Sequence, residues 1–245
     1  MVEMTLRYAI YYTPRPEQPL GALERDWFGR DAAGNRHPRI IRVPGLSAER
    51  LEALIARPRR YGLHATLKPP FRLAPGTTAE ALQAAVAASA GGSSPIPAPA
   101  LRLTVLDGFL ALVPSTPAPR LDALAAACVA GFDRFRAPPQ AGDLMRRRDR
   151  SLTPYQEEML QRWGYPDVFE AFRFHLTLTD RIDDARDRER MAAALAPALA
   201  AVTAAPWSLD ALSLSVQPEP DGDFVVAARF AFAGAVQNGR PEDAA

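Results

Sequence analysis

The four residues His64-Ala65-Thr66-Leu67 return in the second half of the chain as His175-Leu176-Thr177-Leu178, and each copy heads the same succession of elements. The first copy lies in a run from Tyr61 to Leu73 that reads as a strand ending at Pro69-Pro70. Thr77 and Glu80 then have capping-box spacing before a helix to about Ala90. LRLTVL and FLALV follow, flanking Asp107-Gly108, a two-residue hairpin signal. After the second copy, in FRFHLTLT, a helix runs from Asp184 to about Leu199 with Met191, Leu195 and Leu199 on one face. LDALSLSV and DFVVAARFAF then flank QPEPDG as a second hairpin. Strand, helix, hairpin, twice over, predicts a duplicated bilobal α+β fold. Two antiparallel-sheet lobes with outer helices would surround a central cleft, related by an approximate twofold axis.

The rest of the chain fits around that repeat. LRYAIYY, stopped by TPRP, reads as a first strand, and the stretch holding Trp27, Gly29, Gly34 and His37-Pro38 as a loop. Ser47 caps a short helix with Leu51, Leu54 and Ile55 on one face, which Pro58 is expected to end. Leu121, Leu124, Cys128, Phe132 and Phe135 make the inward stripe of a longer helix. Arg146, Arg147 and Arg148 then fall in a connector, and Thr153-Pro154 with Gln156 starts a helix that stops at Gly164. The expected organisation is one bilobal domain over residues 1–235 with a disordered polar tail at 236–245.

Composition narrows the function. With 245 residues and 48% hydrophobic content the chain can bury a substantial core. A net charge of +1 gives no global field to draw in nucleic acid or a membrane, so phosphate recognition must be local. One cysteine, Cys128, can make neither a disulfide nor a cysteine zinc site. The apolar run at the N-terminus is too short for a signal peptide and no stretch has membrane-spanning length, so a cytoplasmic location is expected. Every basic residue except Lys68 is arginine.

The repeated motif carries chemistry. On a strand, His and the Thr two positions on share a face about 6–7 Å apart, so an imidazole and a hydroxyl can reach one phosphate. Two such pairs facing one cleft suit general acid-base cleavage of a phosphate ester. One histidine would take a proton from water and the other would give one to the leaving oxygen. Thr66 and Thr177 would hold the non-bridging oxygens as charge develops. His64, Thr66, His175 and Thr177 are therefore the candidate catalytic residues. No HExxH, cysteine cluster or histidine-rich tract is present, so no metal and no cofactor are expected. His37 reads as a turn residue. By strand alternation Lys68 would face the same cleft as His64 and Thr66, and Arg173 the same face as His175. Arg147, within its arginine run, and Tyr12, at the end of the first strand, complete the candidate substrate-binding set.

Taken together, the paired motifs resemble the two-histidine phosphoesterase superfamily. More narrowly, YGLHATLKPPFRL, the RRR segment, the Gln156 helix, WGYP and FRFHLTLTD resemble its branch associated with phosphonate-utilisation operons. The resemblance implies a bilobal fold, a cleft holding both motifs, and hydrolysis of a small cyclic phosphodiester without a cofactor. It also implies a substrate, phosphoribosyl 1,2-cyclic phosphate. Two alternatives remain at this point: a 2′,3′-cyclic nucleotide or RNA-end phosphodiesterase, and a non-catalytic phosphate- or nucleotide-binding protein. The first would favour a basic surface and stacking aromatics, and the sequence signals neither.

Overall fold

Two antiparallel sheets divide the strands across the repeat instead of along it. The computed structural model describes residues 6–148 and 151–233, so the expected tail at 236–245 lies outside the described residues. The elements are β1 (Arg7–Tyr12), α1 (Pro19–Phe28), α2 (Ala48–Tyr61), β2 (Ala65–Phe71), α3 (Ala79–Gly91), β3 (Ile96–Ala98), β4 (Leu101–Leu106) and β5 (Phe109–Pro114). They continue as α4 (Pro119–Gly131), α5 (Ala141–Arg148), α6 (Pro154–Trp163), β6 (Leu176–Arg181), α7 (Ala185–Thr203), β7 (Trp207–Leu209), β8 (Ala211–Gln217) and β9 (Val225–Ala231).

The larger sheet has the order β2-β1-β8-β9 and the smaller β4-β5-β6, while β3 and β7 pair as a short bridge. The α+β class with antiparallel sheets is thus the one the repeat predicts. The hairpins, however, are exchanged. The strand of the first motif shares a sheet with the hairpin of the second half, and the strand of the second motif pairs with the hairpin of the first. Helix α3 packs on β8 and β9, and α7 on β4, in matching fashion. A single apolar cluster runs through both sheets, joining Ile10 and Tyr12 of β1, Leu112 of β5, Leu176 and Leu178 of β6 and Leu214 of β8.

Local sequence accounts for most boundaries. Asp107 and Gly108 both take positive φ, 46° and 93°, as a tight hairpin between β4 and β5 requires. Both bonds of the capping box at Thr153 and Gln156 form, and Gly164 ends α6 at φ 72°. Several boundaries differ from expectation: α4 ends at Gly131, so Phe132 caps it and Phe135 of the expected stripe lies in a separate 3-10 turn. The stretch read as a loop contains α1, opened by Pro19 and closed by left-handed Gly29, with Leu20, Leu23 and Trp27 buried along one side. Helix α2 runs through Pro58 to Tyr61, because Pro58 is buried on the same face as Leu54 and Ile55 and that packing outweighs one lost backbone bond. Strand β2 runs through Pro69 and Pro70 because it lies at a sheet edge, where a missing N–H is tolerated. The cap of α3 is Thr78, which accepts from Ala81 N, while Thr77 donates to the Ala74 carbonyl.

Candidate active site

The two motifs are built alike. In each, burial alternates identically: a half-buried histidine, a buried residue, a half-buried threonine, a buried leucine. His64 Nδ1 lies 2.9 Å from the Gly62 carbonyl, and His175 Nδ1 lies 2.7 Å from the Arg173 carbonyl. A carbonyl can only accept, so Nδ1 carries the hydrogen on both rings and Nε2 carries the lone pair of the neutral imidazole. Both histidines are held two residues downstream of their anchor, in the same tautomer.

A bulge follows each threonine. Tyr11 pairs with Thr66 but Ile10 pairs with Lys68, so one extra residue is inserted in β2. On the other sheet Ala111 pairs with Thr177 while Phe109 pairs with Arg181, a similar irregularity in β6. There the Thr179 hydroxyl accepts the Leu110 N–H at 2.9 Å, and the Leu178 carbonyl accepts from the indole of Trp27 at 2.8 Å.

The first bulge overturns the expectation for Lys68. Strict alternation would put Lys68 beside Thr66, but the inserted residue turns it to the face of Ile10, away from the cleft. Lys68 is 2% exposed, donates to the Val129 carbonyl at 2.8 Å and pairs with Asp133 at 3.3 Å. Burial lowers its pKa to about 8 against the opposing pull of Asp133. Tyr12 is also corrected. It shares the phase of Ile10, is 1% exposed, and packs its ring 4.9 Å from Trp207 in the core. The tyrosine beside the motif is its neighbour Tyr11, whose ring centroid lies 4.1 Å from that of His64. The Tyr61 ring is also near, 5.8 Å from that of His64. Tyr11 and Tyr12 look alike as text; the phase of Tyr8 and Ile10 would have separated them.

Thr66, His175, Arg146, Arg147, Arg173 and Tyr165 line a cleft of about 510 Å³. His64 and Thr177 stand on the same strand faces as Thr66 and His175. The arginine run expected in a connector forms α5, and Arg147 stacks over the Tyr165 ring at 4.3 Å. Arg173 reaches towards Asp107, 3.7 Å away. His37 stays in its own loop, 3.1 Å from Asp31.

Electrostatics separate the two histidines. Burial pushes the His64 pKa down to about 4, the Gly62 carbonyl opposes this, and the charge of His175 lowers it further. Burial lowers His175 as well, as does the charge of Arg173, and the Arg173 carbonyl and the carboxylates of Asp167 and Asp107 offset this only in part. His175 lines the cleft, whereas His64 and Thr177 are not among its lining residues. Among the described residues no cluster of three or more His, Cys, Asp or Glu is arranged to hold a metal ion, and no helix is long and apolar enough to cross a membrane.

Sequence comparison finds relatives that cover most of this chain. A protein from Janthinobacterium sp. (strain Marseille) called ribose 1,5-bisphosphate phosphokinase PhnN is 38% identical over 95% of this chain and 52% of its own length. Another of that name, from Laribacter hongkongensis (strain HLHK9), is 33% identical over 89% of this chain and 50% of its own. The chain therefore spans about half the length of the curated relatives it matches. Among solved structures, TT0787 of Thermus thermophilus aligns with a TM-score of 0.46 at 15% identity, covering 94% of this chain and 99% of its own. E. coli LigT complexed with 3′-AMP aligns at 0.41 and 14%, covering 92% and 97%. The family profile described as a protein of unknown function, DUF1045, matches residues 66–225, more than half of the sequence, and the chain belongs to that family.

Proposed function

We propose that this chain hydrolyses a small cyclic phosphodiester by acid-base catalysis with protein groups alone. The observation that carries the reading is the matched pair of anchors, a carbonyl on Nδ1 of His64 and another on Nδ1 of His175, which leaves two Nε2 atoms for proton transfer. A binding protein needs fixed cations at such a site more than two imidazoles held with Nε2 free to exchange a proton.

His64, held neutral by burial, is the base. Its Nε2 takes a proton from water as the water oxygen bonds to phosphorus. His175, beside Asp107 and Asp167, is the acid and delivers its Nε2 proton to the ester oxygen whose bond to phosphorus breaks. One water is consumed, a phosphomonoester results, and the two histidines exchange protonation states before the next turnover. Thr66 and Thr177 donate to the non-bridging oxygens. Arg147 and Arg173 neutralise the phosphate charge at the cleft wall.

Phosphoribosyl 1,2-cyclic phosphate is the substrate that fits this reading best. The matched relatives are named for a phosphorylated ribose, and the cleft is rich in arginine. Their kinase chemistry has no counterpart here, since the sole lysine lies in Leu67-Lys68-Pro69-Pro70 and not in a glycine-rich phosphate loop. The test is turnover of a panel of cyclic phosphates by EDTA-treated protein: opening of the ribosyl 1,2-cyclic phosphate is expected, and inertness towards every cyclic phosphate overturns the reading.

A further inference from the structure

A smaller cavity adjoins the cleft, and its lining is unusual in charge. Arg7, Arg72, Arg136 and Arg147 contribute to its wall, against one carboxylate, Asp143. Asp143 is already engaged by Arg72 at 2.7 Å and by Arg146. Arg136 is bound to Asp133, which it shares with Lys68. Guanidinium groups gathered with so little negative charge repel one another unless an anion sits among them. Moreover, Arg72 Nε is buried and has no partner among the described residues, a donor left without an acceptor at a cost that native sites rarely bear without use.

The position of this cavity ties it to the cleft. Arg147 lines both. Arg7 lies on the face of β1 that carries Ala9 and Tyr11, and Tyr11 packs on His64. The charges of Arg7 and Arg147 both act on the Tyr11 hydroxyl. One small molecule can therefore reach His175 with one end and the arginines with the other.

We propose that the arginine-lined cavity is a phosphomonoester subsite, holding a second, terminal phosphate of the molecule whose cyclic phosphate lies between His64 and His175. This rests on the phosphodiesterase reading for its orientation but not for its detection. A planar guanidinium presents paired donors to a phosphate dianion, and several around one dianion discriminate strongly against an uncharged hydroxyl.

Calorimetric titration with ribose 5-phosphate and with ribose tests the subsite without turnover. Ribose 5-phosphate is expected to bind and ribose to bind at least about 10-fold more weakly. Arg7→Gln and Arg147→Gln should each weaken ribose 5-phosphate by about 10-fold or more, while His175→Ala keeps most of the affinity. If Arg7→Gln fails to fold, Arg147→Gln decides, because Arg147 lies on a helix with no buried residue. Equal affinity for the two sugars, no binding of either, or unchanged affinity in the foldable arginine variants overturns the proposal. Binding as expected together with inertness towards every cyclic phosphate would sink the phosphodiesterase reading and leave the subsite standing.

Discussion

Glu24 and Trp27, one turn apart on α1, grip the backbones of the two different motif segments. Glu24 Oε1 accepts the Leu63 N–H at 3.0 Å, next to His64, and the Trp27 indole donates to the Leu178 carbonyl at 2.8 Å, next to Thr177. Gly62 completes the arrangement. Its φ is 70°, and a Cβ there would lie 2.6 Å from Glu24 Oε1. One helix therefore fixes how the two histidines sit relative to each other.

Glu24 gives that brace a pH dependence. Burial raises its pKa from 4.5 to about 7, partly offset by the bond from Leu63 and by Arg30. A raised carboxyl pKa means stability that is present below pH 4.5 and lost as pH rises through about 7, by about 3 kcal/mol at most. The depressed pKa of His64 has the opposite sign, with stability present above 6.5 and lost as pH falls through about 4. Urea unfolding should therefore find Glu24→Gln more stable than the parent protein at pH 8, with the advantage gone at pH 4.5. An equal advantage at both would mean that the carboxyl does not titrate in this window.

His64→Ala and His175→Ala should each lower turnover of the cyclic substrate by about 100-fold or more, with the circular dichroism of the parent retained. Near-normal turnover in either variant would reduce the repeat to architecture. The role assignment can be read separately. Losing the acid should be tolerated better with a substrate whose leaving group needs no proton, so a p-nitrophenyl phosphodiester should rescue His175→Ala and not His64→Ala.

Chelation with EDTA should leave turnover intact, because every proton transfer in the proposed step is made by a side chain. Loss of activity that a divalent cation restores would refute it.

Lys68→Met should act on stability and leave substrate discrimination alone. The substitution removes a buried ammonium from the Val129 carbonyl and from Asp133, and thermal unfolding should register a loss of about 1–3 kcal/mol. A selective loss of affinity for phosphorylated substrates would instead return Lys68 to the cleft.

Tyr11→Phe should keep or raise the unfolding temperature, since the Tyr11 hydroxyl is buried without a partner among the described residues. A marked destabilisation would refute the reading of that hydroxyl as unpartnered among the described residues.

Much of the local structure around the candidate site is readable because its logic is local. The two His-x-Thr segments, the Asp107-Gly108 hairpin and the Thr153 capping box all depend on residues within four positions of one another. What escaped depends on tertiary context. The bulge after Thr66 that turns Lys68 inward is a matter of register against β1, and no spacing within β2 encodes it. Pro58, Pro69 and Pro70 break helices and strands by local rule, yet burial in one case and an edge position in the other override it. Helix α1 carried a visible signal, Pro19 followed by Leu20, Leu23 and Trp27, hidden among loop-like residues on either side.

The exchange of hairpins between the sheets bears on where such a chain comes from. Each half supplies the strands that complete the sheet of the other, so neither half owns a finished sheet, and a cut in the α5–α6 connector would leave two fragments that each expose an unpaired strand. A half-length polypeptide meeting a second copy of itself could make the same trade, as in a domain-swapped homodimer with one identical motif from each subunit. Fusion of two such copies would free the motifs to diverge, one histidine drifting towards a buried, neutral setting and the other gathering carboxylates.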